Sequence, residues 1–210
     1  MGRITALRVV GNKKQFNVFI DGSLSFAIDK EVALRHGLQV GQHLYADQIE
    51  ELMRADLFQK CFEAASHYLS YRSRSEAEVR QRLYRRGFSD DVVSKTILEL
   101  KEYKLIDDAA FAQFWKDNRL LFSPRSGRLI KLELRQKGIA AETADEIAGD
   151  LDDEVSAYEA GLKKTRGLTT LDYSEFRRRL LGYLRRRGFS YEVTNDVVAR
   201  LWQEQQAASV

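Results

Sequence analysis

The segment Leu-x-x-x-Gly, followed by Phe or Ile, occurs three times in the second half of the 210-residue chain. Its glycines are Gly87, Gly138 and Gly188, so that successive segments lie 51 and 50 residues apart. Self-similarity at a period of this size is typical of tandem supersecondary units that pack one after another. The sequence therefore predicts a helical repeat protein, and such proteins usually offer a long binding surface and not a catalytic pocket.

Each of these glycines follows two apolar positions with helical spacing. A leucine stands four residues before it, and Val79, Ile130 or Leu180 stands eight residues before it, on the same helix face. A glycine after such a helix favours a left-handed C-terminal cap, and close helix packing at an ordinary φ is the alternative. Ser89 and Ser190 follow as candidate N-caps of a further helix.

A further amphipathic segment precedes each of these helix pairs, which makes each unit a three-helix module. The segments lie at about residues 57–72, 111–122 and 155–166. We expect a mainly α protein whose three-helix repeats form an elongated curved array without a shared central core. The expected bounds are residues 57–110 for repeat 1, 111–154 for repeat 2 and 155–204 for repeat 3.

Residues 1–50 have a different pattern and are expected to form a separate accessory domain. Apolar residues alternate with polar ones along residues 16–20 and 24–28, and the intervening Asp21-Gly22 is a type I′ hairpin signal. A second turn is expected at residues 11–14. The sequence predicts a three-stranded antiparallel meander, covered by a helix at residues 30–36 or one that begins near Asp47.

Composition places limits on the class of protein. No stretch approaches the roughly 18 apolar residues that a membrane-spanning helix needs. Cys61 is the single cysteine, so no intrachain disulfide forms, and a cytoplasmic location is expected. The formal net charge is only +3, which by itself does not demand a nucleic-acid partner.

The distribution of charge is more informative than its sum. The glycine-terminated helices, at residues 75–88, 126–138 and 174–188, carry +2, +3 and +5. The helices that follow them carry −2, −7 and −2. Stacked repeats would align these helices into one basic and one acidic stripe, although solvated faces paired for solubility are the alternative. The candidate binding residues of the basic stripe are Arg72, Arg74, Arg82, Arg85, Arg86, Arg128, Lys131, Arg135, Lys137, Arg178, Arg185, Arg186 and Arg187.

The sequence contains no recognisable catalytic or metal-binding motif. The three histidines are scattered over different elements, and neither a zinc pattern nor a phosphate-binding glycine loop occurs. Cys61 is expected to be a buried structural thiol. Asp107 and Asp108 are expected to cap the N-terminus of a helix and interact with its dipole, and not to bind a metal. We therefore expect a protein that is not an enzyme and has no cofactor and no metal. The aromatic residues expected in the core are Phe111, Phe114, Trp115 and Trp202.

Several of these segments resemble the RecX family. They include residues 68–79 with the following Leu83 and Gly87-Phe88, residues 106–119, residues 130–139 and residues 184–191. The resemblance covers about residues 57–202, and the N-terminal meander is similar to that of the longer family members. Two departures are mild: Val79 stands where leucine is usual, and repeat 3 has a longer entry connection.

The resemblance implies a non-enzymatic regulator of the RecA recombinase. Such a protein binds the RecA–DNA filament as its partner, inhibits the recombinase, ATPase and coprotease activities, and so modulates DNA repair and the SOS response. We expect it to be a monomer. The alternative is a helical repeat module that binds single- or double-stranded DNA directly. The first hypothesis predicts strong binding only with RecA and nucleotide, and the second predicts comparable affinity for bare DNA.

Overall fold

The N-terminal strands form an antiparallel sheet in a computed structural model that describes residues 1–10 and 14–207. Strands β1 (Gly2–Val10), β2 (Gln15–Ile20) and β3 (Ser23–Asp29) form the expected meander. Asp21 and Gly22 both have positive φ, at 47° and 85°, as a type I′ hairpin requires. The turn expected at residues 11–14 lies largely outside the described residues.

The sheet has a fourth strand that the sequence pattern did not predict. β4 (His43–Leu44) pairs with β1, so the described strands are arranged in the order β3-β2-β1-β4. A strand of two residues is too short for alternation between apolar and polar side chains to be visible in the sequence.

One face of the sheet is covered by two helices. Helix α1 (Lys30–Arg35) and the 24-residue helix α2 (Ala46–Leu69) contribute Val32 and Leu52 to a core with Ile4 of β1. The helix expected near Asp47 and the first helix of repeat 1 are therefore a single element, and the expected boundary at residue 50 lies inside it.

A buried carboxylate fastens this long helix to the sheet. Asp56 of α2 is 2% exposed and accepts a hydrogen bond of 2.6 Å from the backbone N–H of Asp29, at the end of β3. Lys60, one turn further along α2, lies 2.6 Å from the same carboxylate. The charge is thereby compensated, which a buried carboxylate requires.

The rest of the chain is helical and follows the three expected repeats. Contacts divide the molecule into two compact units: residues 1–73 with 79–106, and residues 74–78 with those from Asp107 onward. After α2, the helices are α3 (Glu76–Tyr84), α4 (Asp90–Glu102), α5 (Asp108–Phe122), α6 (Gly127–Gln136), α7 (Ala141–Ala148), α8 (Asp153–Thr165), α9 (Tyr173–Arg185) and α10 (Tyr191–Ala207).

Each repeat buries its own apolar side chains. Separate clusters contain residues of α2–α4, of α5–α7 and of α8–α10, and the apolar positions four and eight residues before each repeat glycine are fully buried. Cys61 belongs to the first of these clusters, as expected. The prediction for Phe114 was wrong, because this side chain lies on the outer face of α5 and is 47% exposed.

The turns after the basic helices have the predicted backbone geometry. Gly87, Gly138 and Gly188 have φ values of 87°, 82° and 88°, which confirms the left-handed caps. Ser190 accepts a hydrogen bond from the backbone N–H of Val193 at 3.2 Å, as an N-cap does. Ser89 occupies the N-cap position of α4 but makes no side-chain capping bond to any described residue.

Candidate interaction surface

The predicted binding residues lie on or beside α3, α6 and α9, which are not equally long. Helices α3 and α6 begin 11 residues before their glycines, whereas α9 begins 15 residues before Gly188, one turn earlier. Asp172 caps this additional turn by accepting a hydrogen bond of 3.0 Å from the backbone N–H of Glu175. The N-termini of the two shorter helices instead contact other parts of the chain.

The N-termini of α3 and α6 each dock on a glycine turn of the repeat that follows. The hydroxyl of Ser75 donates to the carbonyl oxygen of Lys137 at 2.6 Å. In the same way, the backbone N–H of Ser126 donates to the carbonyl oxygen of Arg187 at 3.0 Å. Each acceptor is the residue directly before a repeat glycine, and both serines are fully buried.

A carboxylate satisfies the next backbone donor at both places. The N–H of Glu76 donates to Asp108, and the N–H of Gly127 donates to Asp153, each at 2.8 Å. An anion close to exposed N–H groups at a helix N-terminus is stabilising. Asp107 accepts from the N–H of Ala110 at 2.9 Å. The expected capping role of this aspartate pair is therefore confirmed, and the docking role of Asp108 is additional.

Close packing accompanies these hydrogen bonds. A Cβ on Gly188 would lie 2.5 Å from the hydroxyl of Ser126 and 2.8 Å from the Cβ of Leu129. A Cβ on Gly138 would collide with that of Ala77, whereas one on Gly87 would have no described atom within 4 Å. Two of the three glycines thus serve the cap and the docking contact together.

The two cations at these docking contacts are partly buried and already engaged. Lys137 Nζ lies 2.7 Å from a carboxylate oxygen of Glu78 and 5.1 Å from the ring centre of Trp115. The guanidinium of Arg187 stacks 4.0 Å above the ring of Tyr183 and donates to Ser123 at 3.3 Å. Both were predicted to be binding residues, and the structure places them in the packing between helices.

A buried carboxylate in repeat 2 organises further cations that the sequence analysis missed. Glu133 is 9% exposed and accepts from the indole N–H of Trp115 at 2.8 Å and from Arg119 at 2.7 Å. Arg125 forms a third bond to the same carboxylate. Glu133 lies three residues after the buried Ile130 and four residues before Lys137, which places all three on one face of α6. This spacing is the sequence signal that could have identified Glu133 as a buried carboxylate.

Nine of the thirteen predicted cations are exposed, and the other four are partly buried. Among the exposed ones, Arg82 lies over the ring of Tyr68 at 5.6 Å, and Arg178 is paired with Glu175 at 2.6 Å. The partly buried Lys131 is 3.2 Å from Asp145. Seven exposed cations form no ion pair within residues 1–10 and 14–207, namely Arg82, Arg85, Arg86, Arg128, Arg135, Arg185 and Arg186.

The strongest electrostatic perturbation lies on α9. Hydrogen bonds from Arg178 and then Arg179 lower the pKa of Glu175 from 4.5 to about 2. On the neighbouring α10, hydrogen bonds with Asn195 and then Arg177 lower the pKa of Tyr191 below its ordinary value. In both groups the shift in pKa comes mainly from hydrogen bonds, and burial acts in the opposite direction.

The candidate metal ligands and the single cysteine can be located among the described residues. No group of three or more His, Cys, Asp or Glu side chains among them is placed to hold a metal ion. Burial raises the pKa of the Cys61 thiol, which disfavours the reactive thiolate.

None of the described helices combines the length and apolar character needed to cross a membrane.

Comparison with protein-family models gives matches along most of the chain. Residues 61–100, 107–147 and 152–198 match the first, second and third three-helix domains of RecX, and residues 2–45 match the N-terminal domain of regulatory protein RecX. The chain belongs to the RecX family. The resemblance that the sequence motifs suggested is thereby confirmed.

Members of the RecX family from several bacteria are similar over nearly the full chain. Regulatory protein RecX of Clostridium perfringens strain SM101 is 28% identical, with 96% of this chain and 97% of the relative covered. Regulatory protein RecX of Bacillus velezensis is 32% identical, with 88% of this chain and 71% of the relative covered. These relatives are named as regulatory proteins.

Solved RecX structures have the same fold. A crystal structure of regulatory protein RecX matches with a TM-score of 0.70 at 24% identity and covers 94% of this chain and 98% of its own. The crystal structure of RecX from Lactobacillus salivarius matches with a TM-score of 0.59 at 26% identity and covers 70% of this chain and 97% of its own. The three-helix repeats are therefore a property of the family.

Proposed function

We propose that this RecX family protein regulates a RecA recombinase by binding the RecA–DNA filament and inhibiting its recombinase, ATPase and coprotease activities. Membership of a family of regulatory proteins supports the regulatory role. The protein acts by binding, without catalysis of its own, as a cytoplasmic monomer. In this proposal, residues 1–50 are an accessory domain and repeats 1–3 supply the contact surface.

The observation that carries the proposal is that an exposed arginine recurs near the C-terminal end of the basic helix in every repeat. These arginines are Arg86, Arg135 and Arg186, which lie one, three and two residues before the repeat glycine and form no ion pair in the described part of the chain. A cation in the last helical turn also interacts favourably with the helix dipole, but that effect is worth only about 0.3–1 kcal/mol. Three long, unpaired side chains suit an anionic partner such as DNA or an acidic protein surface.

The test is a titration of the purified protein into preformed RecA filaments on single-stranded DNA, followed by the rate of ATP hydrolysis. Wild type should inhibit hydrolysis. The triple variant Arg86→Glu, Arg135→Glu and Arg186→Glu should need a more than about tenfold higher concentration for the same inhibition. The reason is that three side chains that attract anionic groups would then repel them. Its melting temperature should stay close to that of wild type.

A matched control changes the same amount of charge away from the basic helices. Lys95→Glu, Lys104→Glu and Arg166→Glu alter three exposed cations on or after α4 and α8. This control should inhibit like wild type. If wild type neither binds the filament nor slows hydrolysis, the proposed function is wrong. If wild type inhibits hydrolysis and the basic-helix variant inhibits it equally well, the contact surface lies elsewhere.

A further inference from the structure

Gly182, in the middle of α9, is not required by the fold. Its backbone is helical, with no positive φ, and a Cβ at this position would approach only the flexible end of Arg186, at 3.4 Å. Glycine in a helix interior is less favourable than alanine because it loses more conformational freedom on folding. The chain thus carries a destabilising residue where alanine would fit.

Four arginines surround this glycine on the outer face of the helix. Arg178, Arg179, Arg185 and Arg186 stand four or three residues before and after it, and at 100° per residue all lie within about 60° of Gly182. The opposite face carries the buried core side chains of repeat 3. We call Gly182 and these four side chains the arginine notch, because the missing side chain leaves a gap among the guanidiniums that only the flexible end of Arg186 approaches.

The arginine notch has more positive charge than its surroundings neutralise. Glu175 pairs with Arg178 and Arg179, each at 2.6 Å, and is the acidic partner of the notch within the described residues. Arg185 and Arg186 form no ion pair there. One carboxylate for four guanidiniums leaves a formal charge of +3, and like charges at helical spacing repel one another. The cluster would be relieved by an external anion.

An exposed aromatic ring lies beside the notch. Tyr191, at the start of α10, is 58% exposed, and the guanidinium of Arg185 is 6.0 Å from its ring centre. Arg177, also on α9, donates to Asn195 of α10 at 2.9 Å. An exposed ring among cations suits a partner that combines negative charge with flat aromatic groups, as an unpaired nucleic-acid strand does.

The geometry points to a direct contact with single-stranded nucleic acid: we propose that the arginine notch binds the phosphate backbone and that an unpaired base stacks on Tyr191. The nine residues of helix from Arg178 to Arg186 span about 12 Å, which corresponds to about three or four nucleotides of a strand. The absence of a side chain at Gly182 lets the strand approach the helix backbone closely. This contact goes beyond the proposed function, because it needs no RecA.

The decisive variants fill the notch without changing its charge. Gly182→Ala should raise the melting temperature by about 2–4 °C, since alanine is the better helix former. The same variant should bind a fluorescently labelled single-stranded oligonucleotide about threefold to tenfold more weakly, and Gly182→Leu more weakly still. Tyr191→Ala should lower affinity for the single strand by about tenfold, within the range found for base stacking on aromatic side chains.

Binding is measured by fluorescence anisotropy in the absence of RecA, with Arg200→Gln as a control for loss of one exposed arginine on α10. The control should bind like wild type. Wild-type affinity in both Gly182 variants would overturn the proposal. Equal displacement of the oligonucleotide by polyglutamate would also overturn it, because the notch would then recognise acidic polypeptide. Inhibition of RecA is measured separately, so failure of oligonucleotide binding and failure of the proposed function are distinguishable.

Discussion

The hydroxyl of Ser75 and the carbonyl oxygen of Lys137, 62 residues apart in the chain, are joined by a hydrogen bond of 2.6 Å. The same hydroxyl accepts a hydrogen bond from the backbone N–H of Glu78 at 3.2 Å, so it caps its own helix and docks it at once. Ser126 divides these tasks: its backbone N–H reaches Arg187 and its hydroxyl caps α6. The two docking contacts therefore depend on the serine side chain to different extents.

Alanine at these serines should separate the two tasks. Ser126→Ala removes a cap but keeps the backbone bond, and should lower the free energy of unfolding by about 1 kcal/mol. Ser75→Ala removes the cap and also leaves the carbonyl of Lys137 without its donor, so the loss should be about 2 kcal/mol. Urea unfolding followed by circular dichroism measures both. Equal losses would mean that the Ser75–Lys137 bond contributes nothing.

Alanine at the three repeat glycines should have graded effects. Gly87→Ala meets no described atom and bears only the cost of a positive φ, about 1 kcal/mol. Gly138→Ala and Gly188→Ala carry that cost and also force side chains apart at the docking contacts, for a total of about 2–4 kcal/mol. Thermal unfolding of the three variants checks the order. A loss at Gly87 as large as at the other two would contradict the packing role.

Replacement of Glu133 should be among the most destabilising changes in repeat 2. In Glu133→Gln, the guanidiniums of Arg119 and Arg125 lose their shared counter-charge while they remain partly buried. Since these arginines are partly exposed, the expected loss is about 2–3 kcal/mol, below the range for a fully buried pair. Urea unfolding followed by tryptophan fluorescence measures it.

The control for this variant is an ion pair between α6 and the neighbouring helix α7. Asp145→Asn breaks the partly exposed pair with Lys131 and should cost less than about 1 kcal/mol. Equal effects of the two substitutions would show that the Glu133 network is no stronger than an ordinary surface pair.

The carboxylate of Glu175 should titrate far below the usual range. Because Arg178 and Arg179 lower its pKa from 4.5 to about 2, their ion pairs are complete above pH 4.5 and are lost as the pH falls towards 2. Carbon NMR of the labelled side chain should give a midpoint near pH 2. In the double variant Arg178→Gln, Arg179→Gln the midpoint should return towards 4.5. A wild-type midpoint near 4.5 would mean that the pairs do not persist in solution.

Local structure was predictable from the sequence because its causes are local. The positions of Gly87, Gly138 and Gly188 after apolar pairs determine both the caps and the buried faces, and the structure has both. The exposure of Phe114 was not predictable in this way, because helical spacing identifies a face but not the width of the buried part. β4 was missed because two residues carry no periodic signal.

The docking contacts were not predictable because their partners are far apart in the chain. A repeat period indicates that units recur, but it does not say which atoms of one unit meet the next. The charge of Lys137 and Arg187 suggested a binding role, whereas their packing against Trp115 and Tyr183 depends on contacts that no local pattern encodes. The sequence described these cations by their charge alone.

The additional first turn of α9 distinguishes repeat 3 from the two repeats before it. Helices α3 and α6 start where a following glycine turn can receive them, but α9 starts four residues earlier and is closed by its own Asp172. A copy of repeat 2 inserted after itself would offer the glycine turn that the N-terminus of α6 contacts, whereas α9 begins one turn too early to make the same contact. The starting point of the glycine-terminated helix therefore decides whether a repeat can join the next one in this way.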